Sequence, residues 1–174
     1  MMRSTALPYI VLLAGVLIVS TAAIMITHAI RLGVQPLTIA AGRLLFAAAI
    51  LTPIVWWRAG GELREIRRGD WLWALGSGVC LALHFAAWIS SLAYTSVASS
   101  TALVATNPMF VALASWLVFR ERLPMGTWLG VLLTLLGSAC IGLSDHGGGG
   151  GSNPLLGDGL ALLGNVPEVY RLVL

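Results

Sequence analysis

The stretch Leu7–Ile30, LPYIVLLAGVLIVSTAAIMITHAI, holds no Asp, Glu, Lys or Arg and is long enough to cross a bilayer. At 1.5 Å of rise per residue, about 20 apolar residues span the ~30 Å hydrocarbon core. Similar stretches follow at Val34–Trp57, Trp71–Ala93, Val97–Phe119 and Thr127–Leu143. The chain is therefore expected to be all-α, a polytopic transmembrane helix bundle with five spans. Pro8–Ile30 exceeds the ~7–15 residues of a signal-peptide core, and no A-x-A-like site follows it, so it reads as a retained span.

Composition points to the same solvent. Hydrophobic residues make up 58% of the 174 residues and charged residues only 10%, against roughly 25% charged in a soluble domain. The surplus of positive charge, +3, is carried by arginines in short loops. It forms no basic stripe, so nucleic acid is not an expected partner.

Those arginines predict the threading. Arg3, Arg58, Arg64, Arg67, Arg68, Arg120 and Arg122 fall on one side of the spans, and only Arg31 falls in a loop on the other. Positive loops stay cytoplasmic, which places the N-terminus inside. Trp56, Trp57, Trp71, Trp73, Trp116 and Trp128 all fall at span ends on that inner side, as an interfacial belt does. Glu62–Arg68 is expected to be a short solvated helix. Cys80 and Cys140 lie inside spans without ligand spacing and read as small packed residues.

The linker HGGGGGSN (His146–Asn153) is too glycine-rich to hold structure by itself and lacks the Lys-Ser/Thr of a phosphate loop. After it, Leu155–Leu174 has the length of a sixth span but carries Asn165, Pro167, Glu168 and Arg171. Each central charge costs roughly 2.5–3.5 kcal/mol on insertion, so this span is expected to be marginal. The expected organisation is a five-span unit over 1–145, a linker over 146–154 and the opening of a further unit over 155–174.

Polar residues at mid-bilayer are the candidates for function. Counted from the span ends, Arg43 lies ~13 Å, His84 ~14 Å, Ser20 and Thr21 ~14 Å, and Asn107-Pro108 ~15–17 Å below the outer face. Four spans thus bring polar groups to one depth, where transporters bind their cargo. Arg43 cannot lose its charge, and no acidic residue lies inside the five spans to pair with it. It therefore reads either as an attractor of an anionic or zwitterionic small-molecule substrate or as a tie between carbonyls. His84, Trp88 and Ser91 share one helical face and are expected to line a cavity or a packed helix contact. Pro108 frees the carbonyl of Val104, and Asn107 sits beside the break. Gly126, Gly130, Thr134 and Gly137 form a seam suited to close helix packing. No nucleophile with a base, paired carboxylates or metal cluster is present, so neither an enzyme nor a cofactor is expected.

Taken together, these features resemble the first half of EamA-type members of the drug/metabolite transporter superfamily. The resemblance is strongest over Ala93–Leu123, AYTSVASSTALVATNPMFVALASWLVFRERL, in which an outer turn leads to a proline-interrupted span and an E-R-L-like signature at Glu121-Arg122-Leu123. Pro36, Arg43 and Trp128-x-Gly130 match as well, and Gly157-Asp158 resembles the start of a second repeat. The resemblance implies one half of an inverted-repeat, ten-span transporter of the bacterial-type inner membrane. The expected function is transport of small metabolites, amino acids or drugs by alternating access, read as export, with a second repeat or a dimer partner completing the pathway; the alternative is a non-transporting membrane interaction protein or an inactive half-transporter. The resemblance also implies cavity or gating roles for Arg43, His84, Trp88, Asn107 and Pro108, and a loop-stabilising role for Glu121 with Arg122.

Overall fold

A computed structural model of the chain describes residues 6–120, 123–146 and 151–173. Regular structure among them is helical: α1 Ala6–Arg31, α2 Pro36–Glu65, α3 Arg68–Ser91, α4 Val97–Val104, α5 Asn107–Phe119, α6 Met125–His146 and α7 Pro154–Val173. Arg3, the Glu121-Arg122 signature and residues 147–150 of the linker lie outside the described residues, as do the side chains of Glu168 and Arg171.

Four segments are long and apolar enough to cross a membrane, Leu7–Arg31, Pro36–Leu63, Gly69–Ser91 and Val97–Leu117, and Met125–Ile141 is a shorter apolar helix. These are the five expected spans. Their joints follow local chemistry. The α1–α2 turn closes with Gly33 N–H on Ile30 O (2.9 Å) and Val34 N–H on Ala29 O (3.2 Å). This is a Schellman arrangement, and the glycine in it takes φ +93. Pro36 then sits in the first turn of α2, where its missing N–H costs nothing. At Ala59 (φ −132, ψ 21) α2 kinks, then runs on to Glu65. Of the solvated helix expected at Glu62–Arg68, Glu62–Glu65 are the tail of α2, Ile66 and Arg67 are extended, and Arg68 begins α3.

The fourth span is two helices. Ser96 caps α4 by accepting from Ser99 N–H. α4 ends at Val104, and α5 restarts at Asn107-Pro108, because a proline N can close no helical bond.

One end of the bundle, bearing the α1–α2 and α3–α4 turns, holds the packed core. Ala23, Ile26, Ala40, Trp88, Ile89 and Leu92 form one buried cluster there, with Ile30, Ile39, Phe85, Val97 and Val104 against it. Towards the other end the helices present apolar side chains outward: Leu13, Leu17, Phe46, Leu51, Trp57 and Leu72 are all exposed. Around a soluble protein such a surface aggregates. Around a membrane protein it meets lipid or a partner. Trp116 and Trp128 meet edge to face at 5.6 Å and join α5 to α6 at that end.

The segment expected to be a marginal sixth span is a helix at the heart of the bundle. α7 packs most extensively against α3 and also touches α4, α5 and α6. A stripe of small residues allows this approach. Ala161 and Asn165 are fully buried. A Cβ on Gly157 would lie 2.6 Å from Thr95 Cβ and 2.7 Å from its backbone N. Asn153 anchors the helix start, its N–H on Tyr94 O (3.1 Å) and its Oδ1 accepting from Leu156 N–H (3.3 Å).

The small-residue seam of α6 is not brought against a neighbour. Gly126, Gly130 and Gly137 each have open space where a Cβ would stand. The helix instead turns Val131 inward, with Thr127, Thr134 and Ser138 half-buried beside it. Thr134 spends its hydroxyl on Gly130 O within the helix (2.8 Å).

Candidate functional site

Four helices enclose a cavity of ≈ 490 Å³ just below the packed end. α1 contributes Val19, Ser20 and Ala23, α2 contributes Arg43, α3 contributes His84, Phe85 and Trp88, and α4 contributes Thr101 and Val104, with Ala105 just past its end. The volume is that of a small-molecule site. Of the polar residues expected at one depth, Ser20, Arg43 and His84 line this chamber together with Trp88, whereas Thr21, Asn107 and Pro108 are not among its lining residues.

Arg43 is its electrostatic centre. The guanidinium carbon lies 5.1 Å from the Phe85 ring centroid and 5.7 Å from that of Trp88. Two π-faces attract the cation, at roughly 0.5–2 kcal/mol each, but they accept no strong hydrogen bond. Arg43 Nη1 is buried without a partner, and so is Trp88 Nε1. Both atoms are donors. Among the described residues, no Asp or Glu lines the chamber. The side chains at the wall thus offer a cation and N–H groups for which the described residues supply no acceptor.

His84 closes the α7 side. Its Nδ1 lies 2.8 Å from Gly164 O. A carbonyl only accepts, so Nδ1 carries the hydrogen, and the ring orientation is set by α7. The ring meets Phe85 edge-on at 5.5 Å.

The other expected residues lie elsewhere. Ser91 is fully buried above the chamber. It donates to Trp88 O (2.6 Å), which leaves Ser100 as donor in the 2.6 Å Ser91–Ser100 contact. Ser91 thus ties α3 to α4. Thr21 bonds back to Ile18 O at 2.8 Å. Asn107 and Pro108 lie beyond the chamber wall, which ends at Ala105.

Two contacts made by α7 were not foreseen from the sequence. Asp158 Oδ1 accepts from both Thr95 Oγ1 and Ser99 Oγ at 2.8 Å, clasping α7 to the α3–α4 corner. Asn165 Nδ2 donates to Leu103 O (3.0 Å) and Thr106 Oγ1 (3.2 Å) at the α4–α5 break. The available signal was the spacing of Gly157, Ala161, Gly164 and Asn165, which puts small residues and one amide on a single face.

Apolar spans around a largely apolar chamber that holds Arg43 and His84 suit a membrane transporter. Residues 6–143 match the EamA-like transporter family, and the chain belongs to that family. Curated relatives include the probable 4-amino-4-deoxy-L-arabinose-phosphoundecaprenol flippase subunit ArnE of Salmonella newport and that of Salmonella typhimurium. Each is 29% identical over 84 residues, which cover 48% of this chain and 72% of the relative. No solved structure gives a significant match. The chain is an integral membrane protein, and its family's work is transport rather than catalysis.

Proposed function

We propose that this protein carries a small metabolite with an acidic group, bound in the Arg43 chamber, across the cytoplasmic membrane by alternating access, in the export direction. The supporting observation is the pair of buried, unpartnered donors, Arg43 Nη1 and Trp88 Nε1, in a chamber with no carboxylate among its described lining residues. Leaving such donors empty costs roughly 1–3 kcal/mol each, which an incoming carboxylate or phosphate recovers. His84 positions cargo through its free ring nitrogen. Asn107 and Pro108 act one step removed, at the break that shapes Val104 and Ala105.

In this reading residues 1–145 are one five-span repeat, with the N-terminus cytoplasmic by its arginine-rich loops, and 155–174 open a second repeat beyond the linker 146–154. The packed end then faces outward and the splayed end inward, as in a carrier closed to the outside. A second repeat or another polypeptide completes the pathway, as the word "subunit" in the relatives' description suggests. The open glycines of α6, Gly126, Gly130 and Gly137 with Thr134, are the face proposed for it, and Glu121-Arg122 hold the inner loop. The test is efflux of labelled amino and keto acids from cells or proteoliposomes. Arg43→Gln and Trp88→Ala are expected to abolish it at unchanged membrane abundance. Retained efflux in both would overturn the assignment.

A second reading takes lipid-linked cargo. A groove along α1, lined by Val11, Leu12, Gly15 and Val16, shares Val19 and Ser20 with the chamber and offers an apolar path for a tail. Translocation of a polyprenyl-phosphate-linked sugar, blocked by Gly15→Leu, supports it over the soluble-acid reading.

A further inference from the structure

We propose that the break between α4 and α5 is a binding site for a monovalent cation of sodium's size, built from neutral oxygens. Asn165 supplies the first. It is fully buried, and its Nδ2 is spent on Leu103 O and Thr106 Oγ1. Because the carbonyl of Leu103 can only accept, the orientation of this amide is determined. Its Oδ1 is consequently an acceptor, and it is buried with no donor. Asn107, the residue after Thr106, supplies a second oxygen: its Oδ1 is likewise buried without a partner. Pro108 supplies a third indirectly. It has no N–H for the carbonyl of Val104.

The sign of these orphan groups identifies the ligand. Each is an oxygen acceptor. A buried amide oxygen without a donor is rare, because it loses the hydrogen bonds it had in water. A cation satisfies such oxygens by coordination, and the two orphaned amide oxygens, with the Val104 carbonyl that Pro108 deprives of its helical donor, are the ligands proposed for it. Broken membrane helices coordinate sodium in this way, through unwound carbonyls near mid-bilayer. The site takes a monovalent ion because its named oxygens carry no charge. Magnesium dehydrates reluctantly, and calcium sites gain their affinity from several carboxylates.

The place of the site also gives it a consequence. Val104 and Ala105, at the break, are wall residues of the Arg43 chamber. A cation at the break and the guanidinium of Arg43 repel each other across that wall. An acidic ligand at Arg43 removes the repulsion, so cation and acid bind cooperatively. This second step rests on the acidic-cargo reading, and the cation site itself does not.

The test uses the full chain in lipid nanodiscs, with thermal unfolding followed as NaCl replaces choline chloride at constant ionic strength. Sodium is expected to raise the unfolding temperature saturably, and MgCl2 at matched ionic strength is not. Asn107→Ala leaves both Asn165 bonds in place and is expected to raise the half-saturating sodium concentration at least tenfold. Asn107→Asp, which adds a carboxylate at the same position, is expected to lower it at least tenfold. Equal response to choline, or an unchanged midpoint in both variants, would overturn the site and leave a hydrated break. A normal sodium response with efflux that ignores Arg43 would overturn the cargo reading alone. Arg43-dependent efflux unchanged in sodium-free medium would overturn the coupling alone.

Discussion

Asn165 Nδ2 on α7 lies 3.0 Å from the carbonyl of Leu103, the last-but-one residue of α4. This contact joins the two irregularities of the fold. The fourth span breaks ahead of Pro108, and a carbonyl in the last turn of α4 that loses its helical partner at the break must be met by another group. Thr106 meets Leu103 O from within its own span at 2.6 Å, and Asn165 meets it from across the bundle. The amide that makes α7 a poor lipid-facing helix makes it a good partner for a broken one.

Replacing Asn165 therefore carries a measurable cost. Asn165→Leu keeps the volume but removes both donated bonds. It is expected to destabilise the fold by about 1–2 kcal/mol, the scale of buried polar contacts between membrane helices. Unfolding in graded denaturing detergent measures it. Stability equal to the parent would mean that α7 does not dock there.

The approach of α7 to the α3–α4 corner is limited by backbone. At Gly157 a Cβ would meet Thr95, including its main-chain nitrogen at 2.7 Å, whereas Gly159 faces open space. Gly157→Val is expected to cost about 1–3 kcal/mol through overpacking. Gly159→Ala is expected to be neutral or to gain up to about 1 kcal/mol from helix propensity. Equal effects in thermal unfolding would contradict the close contact.

Asp158 is held by two hydroxyls on the same oxygen. Asp158→Asn retains an acceptor and is expected to keep most of the clasp. Asp158→Ala is expected to lose it, at about 1–3 kcal/mol for the two bonds to a charged group. Protection of α7 in hydrogen exchange is the readout, with Ala falling well below Asn.

For cargo, Arg43→Lys is expected not to rescue. A lysine ammonium keeps the charge but lacks the flat, forked group that stacks between Phe85 and Trp88 and presents Nη1. Affinity for acidic cargo is expected to drop about tenfold to a hundredfold in Arg43→Lys and further in Arg43→Gln, or about 1.4–2.8 kcal/mol for the first. Competition binding decides the order.

The spans were legible because lipid demands apolar runs of fixed length, and Leu7–Ile30 meets that demand unaided. The chamber was legible in part because Arg43, His84 and Ser20 are costly at mid-bilayer wherever they point. Ser91 was misplaced by height: it shares a face with His84, but seven residues lift it ~10 Å, above the chamber and into the packed end. Phe85 was missed because an aromatic in an apolar span carries no signal until a cation lies against it. Asn165 was counted as a cost because its partner, Leu103 O, is created by a break 62 residues earlier, and spacing within one helix cannot reveal it. Among the described residues nothing stands against the glycines of α6.

The most direct test of the central claim, a chamber that attracts anions through Arg43, is the reactivity of a single cysteine at Ala105. With Cys80 and Cys140 replaced by alanine, Ala105→Cys is exposed in membranes to a sulfonate-bearing and to a trimethylammonium-bearing methanethiosulfonate. The account predicts faster modification by the anionic reagent, with the preference lost when Arg43→Gln is added. Modification no faster than at the lipid-facing position Leu13, or a cationic preference with Arg43 present, would contradict it.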